Sequence, residues 1–172
     1  MQRPFVVNVG PLRRGGEHAT HASRSGPLAD LGVTGARVPD QADIAIDALL
    51  EMASGHSMLV TGTITAPWEG ECRRCLNTAT GTLTTLVREL YEDHPEPNAE
   101  AESYKLKGDE LDLEPLVRDA VLLELPQAPL CSESCAGLCP ECGIDRNKAT
   151  CSCETDTTDP RWAALDVLRA ED

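Results

Sequence analysis

Eight cysteines constrain this chain of 172 residues more than any other feature, because they come in closely spaced pairs. Six lie between Cys131 and Cys153, and Cys72 and Cys75 form a separate Cys-x-x-Cys upstream. Two thiols at a tight turn aim at one point, which is how proteins bind tetrahedral zinc. The sequence Cys-Pro-Glu-Cys-Gly that ends at Gly143 is typical of a zinc knuckle, since glycine can adopt the positive φ that closes the turn. The cysteines therefore predict structural zinc.

Eight thiols suffice for two zinc ions with four thiolates each. In the preferred partition, one site would join the upstream pair to the segment that follows a predicted helix, and the other would be local and could fold around its ion. The first set is Cys72, Cys75, Cys131 and Cys135, and the second is Cys139, Cys142, Cys151 and Cys153. A rival partition combines Cys131 and Cys135 with Cys139 and Cys142 and leaves the outer four cysteines together.

The sequence also bears on the cellular compartment of the protein and on whether its thiols bind metal or form disulfides. The sequence contains no apolar run of about 18 residues and no signal peptide, so we expect a soluble cytoplasmic protein, in which cysteine pairs favour metal over disulfides. An alternative is a thiol-disulfide redox pair at Cys72 and Cys75, with Arg73 and Arg74 lowering a thiol pKa. Such a pair normally starts a helix, whereas strands are predicted on both sides here. A catalytic zinc needs an open ligand position, and a site built from four cysteines leaves none, so we expect no enzyme.

The charge of the chain is strongly negative, with 15 Lys and Arg against 29 Asp and Glu and a net charge of −14. This balance disfavours binding to bulk polyanions and favours a basic protein partner. Residues 1–40 nevertheless carry five Arg against three acidic residues. Arginine commonly contacts phosphate, so the candidate RNA-binding residues are Arg13, Arg14, Arg73 and Arg74. For the last two, the alternative is that they balance the charge of a four-thiolate zinc centre.

The residue patterns predict an α+β fold with an antiparallel β-rich body, one packed helix, a zinc-knuckle segment and a C-terminal helix. Strands are expected at 5–9, 43–50, 57–66 and 78–91, with a short one at 109–111. Asp112 is the expected N-cap of the packed helix, and Asp159 that of the C-terminal helix. The expected domains are residues 1–37 with an N-terminal strand and a flexible basic arm, 38–130 as the β-rich body with its helix, and 131–172 as the cysteine-rich segment with the C-terminal helix.

Several stretches together resemble the YceD (DUF177) family of large ribosomal RNA subunit accumulation proteins, from about residue 38 to the end. They are Glu-Cys-Arg-Arg-Cys-Leu at 71–76, Asp-Leu-Glu-Pro-Leu-Val-Arg-Asp-Ala at 112–120, Leu-Glu-Leu-Pro-Gln-Ala-Pro-Leu-Cys at 123–131, Gly-Leu-Cys-Pro-Glu-Cys-Gly at 137–143 and Asp-Pro-Arg at 159–161. The resemblance implies a role in accumulation of 23S ribosomal RNA and biogenesis of the large subunit, without catalytic activity. The expected partners are ribosomal precursor RNA, a basic large-subunit ribosomal protein, or both.

Overall fold

A computed structural model of the chain describes residues 3–16, 18–53, 57–95, 103–153 and Arg161. In this part of the chain eight strands and two helices follow one another along the sequence. They are β1 (Val6–Asn8), α1 (Gly10–Arg13), β2 (Ala19–Pro27), β3 (Ala36–Arg37), β4 (Asp43–Met52), β5 (Met58–Glu71), β6 (Thr78–Glu92), β7 (Tyr104–Lys105), β8 (Glu110–Asp112) and α2 (Glu114–Glu124).

The body is a six-stranded sheet in the order β2-β4-β5-β6-β7, with β3 also paired to β5. All its pairings are antiparallel except the one between β6 and β7. Side chains alternate between the two faces of a strand, and in β4 this alternation buries Ile44, Ile46, Ala48 and Leu50 on one face. A separate pair of short strands, β1 and β8, completes the sheets. The expected antiparallel β-rich α+β architecture is confirmed for the described residues.

The packed helix α2 lies against β5 and β6 and buries Leu116, Val117 and Val121. Each such apolar side chain contributes about 1.5–3 kcal/mol when it leaves water. Asp112 lies one residue before the backbone N-cap, and its Oδ1 accepts a hydrogen bond of 3.1 Å from the N–H of Glu114. Leu123 of the same helix is exposed.

The expectation of a flexible arm within residues 1–37 is wrong, because this part of the chain contains α1 and the nine-residue strand β2. Every residue of β2 pairs with β4. The strand is rich in Ala, Ser and Gly, and only Ala22 and Gly26 are buried, so it lacks the apolar alternation by which strands are predicted. Its conformation is specified by the partner strand instead. The two-residue strand β7 was likewise not predicted, because it is too short to show an alternating pattern.

One hydrophobic core extends from Phe5 to Leu125, so the N-terminal residues pack into the same core as the sheet. The division of the chain at residues 37 and 130 stays a prediction. The predicted C-terminal helix lies outside the described residues except for Arg161. No helix in the described ranges is both long and apolar enough to cross a membrane.

Candidate metal centres

The fold brings the eight thiols together as two sets of four. Within each set all sulfurs lie within 4.8 Å of one another. One set is Cys72, Cys75, Cys131 and Cys135, and the other is Cys139, Cys142, Cys151 and Cys153. This is the partition that the sequence analysis preferred, and the rival grouping does not occur. The sheet and the segment after α2 thus meet at the first set, which we call site 1, and site 2 is local to residues 139–153.

The turn between β5 and β6 builds half of site 1. Cys72 donates its backbone N–H to the carbonyl of Asn77 at 2.8 Å, and Leu76 donates to the carbonyl of Cys72 at 2.9 Å. These bonds curl the chain so that both thiols of Cys72 and Cys75 point to the same side. Leu76 has a φ of 60°, the left-handed value that glycine adopts most easily.

Site 2 uses the same kind of turn. The N–H of Gly143 donates to the carbonyl of Cys139 at 2.9 Å, and Gly143 has a φ of 73°. The residue after the second cysteine therefore occupies the left-handed region in both knuckles, although only one of them has glycine there. The cysteines of site 2 are more accessible than those of site 1, because only Cys139 is buried.

Arg74 fastens the other half of site 1 to the knuckle. Its Nη1 donates to the backbone carbonyls of Glu133 at 3.2 Å and Cys135 at 2.9 Å. Its own carbonyl accepts the N–H of Leu138 at 2.9 Å. The guanidinium of Arg74 therefore holds the segment that carries Cys135 close to the first knuckle. The exposed side chain of Arg73 has no contact of this kind within the described residues.

Two asparagine side chains donate to sulfurs of site 1. Asn77 Nδ2 lies 3.3 Å from Cys75 Sγ, and Asn147 Nδ2 lies 3.4 Å from Cys135 Sγ. The same two amides donate to opposite oxygens of Asp145, at 3.1 Å and 2.8 Å respectively. Such supporting groups orient metal ligands and tune their basicity. None of these three residues was predicted from the sequence.

The arrangement lowers the pKa of Cys72 and Cys135 in site 1 and that of Cys139 in site 2. Burial raises the pKa of Cys72, but backbone N–H groups that donate to its sulfur outweigh burial and bring the pKa to about 6. Backbone N–H groups of its own knuckle lower the pKa of Cys139 to about 6. The hydrogen bond with the Cys135 sulfur, by contrast, raises the pKa of Cys131 to about 12. Donors that stabilise a thiolate favour the form of cysteine that binds metal.

The dimensions of site 1 fit zinc. The sulfurs of Cys72 and Cys135 are 3.8 Å apart, and those of Cys75 and Cys131 are 3.6 Å apart. A regular tetrahedron with zinc–sulfur bonds of about 2.3 Å has edges of about 3.8 Å. A set of four thiols also fills every position of tetrahedral zinc, which is the composition of structural sites.

The two N-terminal arginines predicted to contact RNA form ion pairs within the chain. Arg13 donates to both carboxylate oxygens of Asp93 at 2.8 and 2.7 Å and to the carbonyl of Gly108 at 2.6 Å. Arg14 donates to Asp109 at 2.6 Å. They fasten Asp93, Gly108 and Asp109 to the end of α1. A role of Arg13, Arg14, Arg73 or Arg74 in RNA binding stays a prediction.

Comparison with known proteins extends these observations. Residues 60–169, which include all eight cysteines, match the family described as large ribosomal RNA subunit accumulation protein YceD. An uncharacterized protein of Mycobacterium tuberculosis is 35% identical over 182 residues, covering 98% of this chain and 86% of that protein. A relative in Mycobacterium leprae is 34% identical over 176 residues, covering 98% of this chain and 79% of its own.

A plant protein matches a smaller part. The chloroplastic YCED homolog 1 of Arabidopsis thaliana, named as a large ribosomal RNA subunit accumulation protein, is 34% identical over 62 residues, or 36% of this chain and 19% of the plant protein. No solved structure matches the chain. Fold and sites define a β-rich α+β protein with two four-cysteine sets positioned to hold metal ions. The chain belongs to the YceD family, as its motifs predicted.

Proposed function

We propose that this protein is a non-enzymatic factor that promotes accumulation of 23S ribosomal RNA and assembly of the large ribosomal subunit, with a structural zinc ion in each site. The observation that carries the proposal is the family match over residues 60–169. It spans both sets of cysteines, so the part of the chain that matches the family is also the part that contains both sites. A cytoplasmic site of action follows from the ribosomal role.

The closed form of the sites supports a structural role for the metal. Cys72, Cys75 and Cys135 are all less than 5% exposed, and each site already supplies four thiols. A zinc ion held there has no position left for water or substrate. Zinc at site 1 would connect the β5–β6 turn to the segment after α2, so its binding energy would stabilise the fold.

The partner is ribosomal precursor RNA, a basic large-subunit ribosomal protein, or both. The net charge of −14 favours the protein, since opposite charges attract over a long range. Arg73 favours a local contact with RNA, because its exposed side chain lies at the tip of the knuckle. Arg13, Arg14 and Arg74 are less available, since their guanidinium groups bind other parts of the chain.

The test is the ratio of 23S to 16S ribosomal RNA in cells that lack the protein. We expect a selective fall in 23S that wild-type protein restores and Cys72→Ser does not, because the serine breaks site 1. Glu51→Gln on β4 is the matched control and should restore the ratio fully. An unchanged ratio in cells without the protein would refute the proposed role.

A thiol-disulfide redox function of Cys72 and Cys75 is the alternative, and the pKa of about 6 at Cys72 favours it. Against it, the side chain of Cys72 is fully buried and follows a strand rather than starting a helix. The discriminating measurement is reduction of a disulfide substrate by purified protein. Activity that Cys72→Ser abolishes without unfolding the protein would replace the scaffold proposal with the redox one.

A further inference from the structure

One long edge of the six-stranded sheet is open in the described part of the chain. β6 pairs with β5 from Thr78 to Tyr91. On its other side β7 pairs only with Tyr91 and Glu92, and no other element within the described ranges hydrogen-bonds to that side. The free backbone N–H and C=O groups of such an edge are a template for an additional strand.

A groove with a volume of about 160 Å³ follows this edge, between β6 and α2. Leu86 of β6 and Leu123 of α2 line it, and they are 83% and 85% exposed. A single exposed leucine is ordinary in a folded protein. Here two exposed leucines flank an open strand edge, Leu123 on the helix side and Leu86 on the opposite face of the sheet, and both offer apolar contact area to another polypeptide.

The geometry suits an extended segment. Val87 is buried on the sheet face that α2 covers, so Leu86 belongs to the opposite face. Alternate side chains of a strand added to β6 would therefore contact Ala120 and Leu123 on the helix side. The remaining side chains would lie beside Leu86. Addition of a strand in this way combines backbone hydrogen bonds with pockets for alternate side chains.

The charge of the groove selects the class of segment. Glu89 and Glu124 line it together with apolar and threonine side chains, and no Lys or Arg does. Glu124 accepts a hydrogen bond of 3.5 Å from the hydroxyl of Thr85. Within the described residues neither carboxylate forms an ion pair. A cationic segment would complement both.

The same charges disfavour the other occupants. A second copy of a chain with net charge −14 would bring its own Glu89 and Glu124 to the contact. Residues 154–172 of the chain itself carry six acidic residues against two arginines. Like charges brought together at an interface cost binding energy, whereas complementary charges speed and orient association.

We propose that the β6 edge and its groove bind a basic, extended polypeptide segment, which joins the sheet as a further strand. This inference goes beyond the proposed function, which assigns no binding surface, and it depends only on β6 and α2. It is tested on the purified full chain, whereas the function is tested by ribosomal RNA in cells. Either can therefore fail without the other.

The probe is an end-capped peptide of about ten residues that alternates lysine and valine, the length of a long strand. It is titrated into the full chain by fluorescence anisotropy. One control peptide has glutamate in place of lysine, and another keeps the lysines but is N-methylated at alternate residues. We expect saturable binding of the first peptide only. Its binding should slow hydrogen exchange at those β6 amides between Thr82 and Glu89 that point away from β5.

Variants connect the binding to the groove. Glu89→Gln and Glu124→Gln should each weaken binding about three- to tenfold, because each removes one charge from the contact. Glu51→Gln, a matched change on β4 outside the groove, should leave binding unchanged. Leu123→Ala should weaken binding as well, since it removes apolar contact area from an exposed site that the fold does not need.

Four results would overturn the proposal. They are no binding of the lysine peptide, equal binding of its N-methylated form, equal effects of Glu51→Gln and Glu89→Gln, and slow hydrogen exchange in the free chain at the β6 amides that point away from β5. The last would mean that the edge is already covered, either by a second copy or by residues 154–172.

Discussion

Asn77 and Asp145 are 68 positions apart in the sequence, and their side chains join through a hydrogen bond of 3.1 Å from Nδ2 to Oδ2. Asn77 follows the knuckle of site 1 and donates to the sulfur of Cys75, while Asp145 follows the knuckle of site 2. Asp145 also holds Asn147, which donates to the sulfur of Cys135. A residue from the local knuckle region thus supports the ligands of the distant site.

Replacement of Asp145 should weaken metal binding at site 1 without removing a ligand. In Asp145→Asn the new amide cannot accept from Asn77 and Asn147 with both of its ends, so at least one asparagine loses its orientation. Loss of such supporting groups typically lowers metal affinity by tenfold to about a hundredfold. The measurement is zinc transfer from the protein to a chromophoric chelator, which should show one faster and one unchanged phase.

The control for this variant is Asp109→Asn. It removes a carboxylate that pairs with Arg14 at 2.6 Å, far along the chain from the cysteines. This change should leave both phases of zinc transfer unchanged. Equal zinc affinity of wild type and Asp145→Asn would mean that the asparagine–sulfur hydrogen bonds do not support the ligands.

Leu76→Gly should stabilise the protein. A non-glycine residue in the left-handed region costs about 1–2 kcal/mol, and Leu76 has a φ of 60°. Glycine loses about 0.5–1 kcal/mol through the greater freedom of its unfolded chain. The net gain in free energy of unfolding should be about 0.5–1 kcal/mol, measured by denaturant titration of the zinc-loaded protein.

The opposite change in the other knuckle is the matched control. Gly143→Ala places a Cβ at a φ of 73°, so it should lower the free energy of unfolding. Loss of stability in Leu76→Gly would show that the contacts of the half-exposed leucine outweigh the backbone strain.

Tyr91 should titrate only at strongly alkaline pH. Burial is the largest cause that raises the pKa of its hydroxyl above the ordinary value of 10.0, followed by the charge of Tyr104. The hydroxyl donates to the carbonyl of Asp112 at 3.2 Å. Because the folded-state pKa is the higher one, this stabilisation is complete below pH 10 and is lost as the pH rises above it.

Ultraviolet absorbance at alkaline pH follows the ionisation of Tyr91. In the full chain the ionisation of Tyr91 should be a late step that coincides with unfolding. In Tyr91→Phe the late step disappears and the free energy of unfolding falls by about 1 kcal/mol, the typical net value of one hydrogen bond. Ionisation of Tyr91 near pH 10 without unfolding would contradict the burial argument.

The parts of the structure that the sequence predicted are those whose signals are local. β4, β5 and β6 carry alternating or β-branched residues over ten or more positions. The spacing of the cysteines favoured the two sets of four that the fold brings together. β2 has no such signal, because its small residues gain their conformation from pairing with β4. Arg13 and Arg14 of the expected basic arm are fixed by acidic partners that are distant in sequence, Asp93 and Asp109 respectively.

The supporting residues of site 1 were missed for the same reason. The hydrogen bond between Asn77 and Asp145 exists only after the two knuckles have been brought together. The left-handed backbone of Leu76 could not be predicted from the sequence either, because leucine rarely adopts this conformation, whereas the glycine at position 143 does so easily.

The most direct measurement is the zinc content of the purified protein by native mass spectrometry, compared among wild type, Cys72→Ser and Cys153→Ser. The two sets of four cysteines predict two zinc ions in wild type and one in each variant. Cys72→Ser should also lower the melting temperature strongly, because site 1 joins the sheet to the segment after α2, whereas Cys153→Ser should leave the sheet folded. Wild-type protein that is folded and free of zinc when purified under metal-replete, reducing conditions would contradict the account.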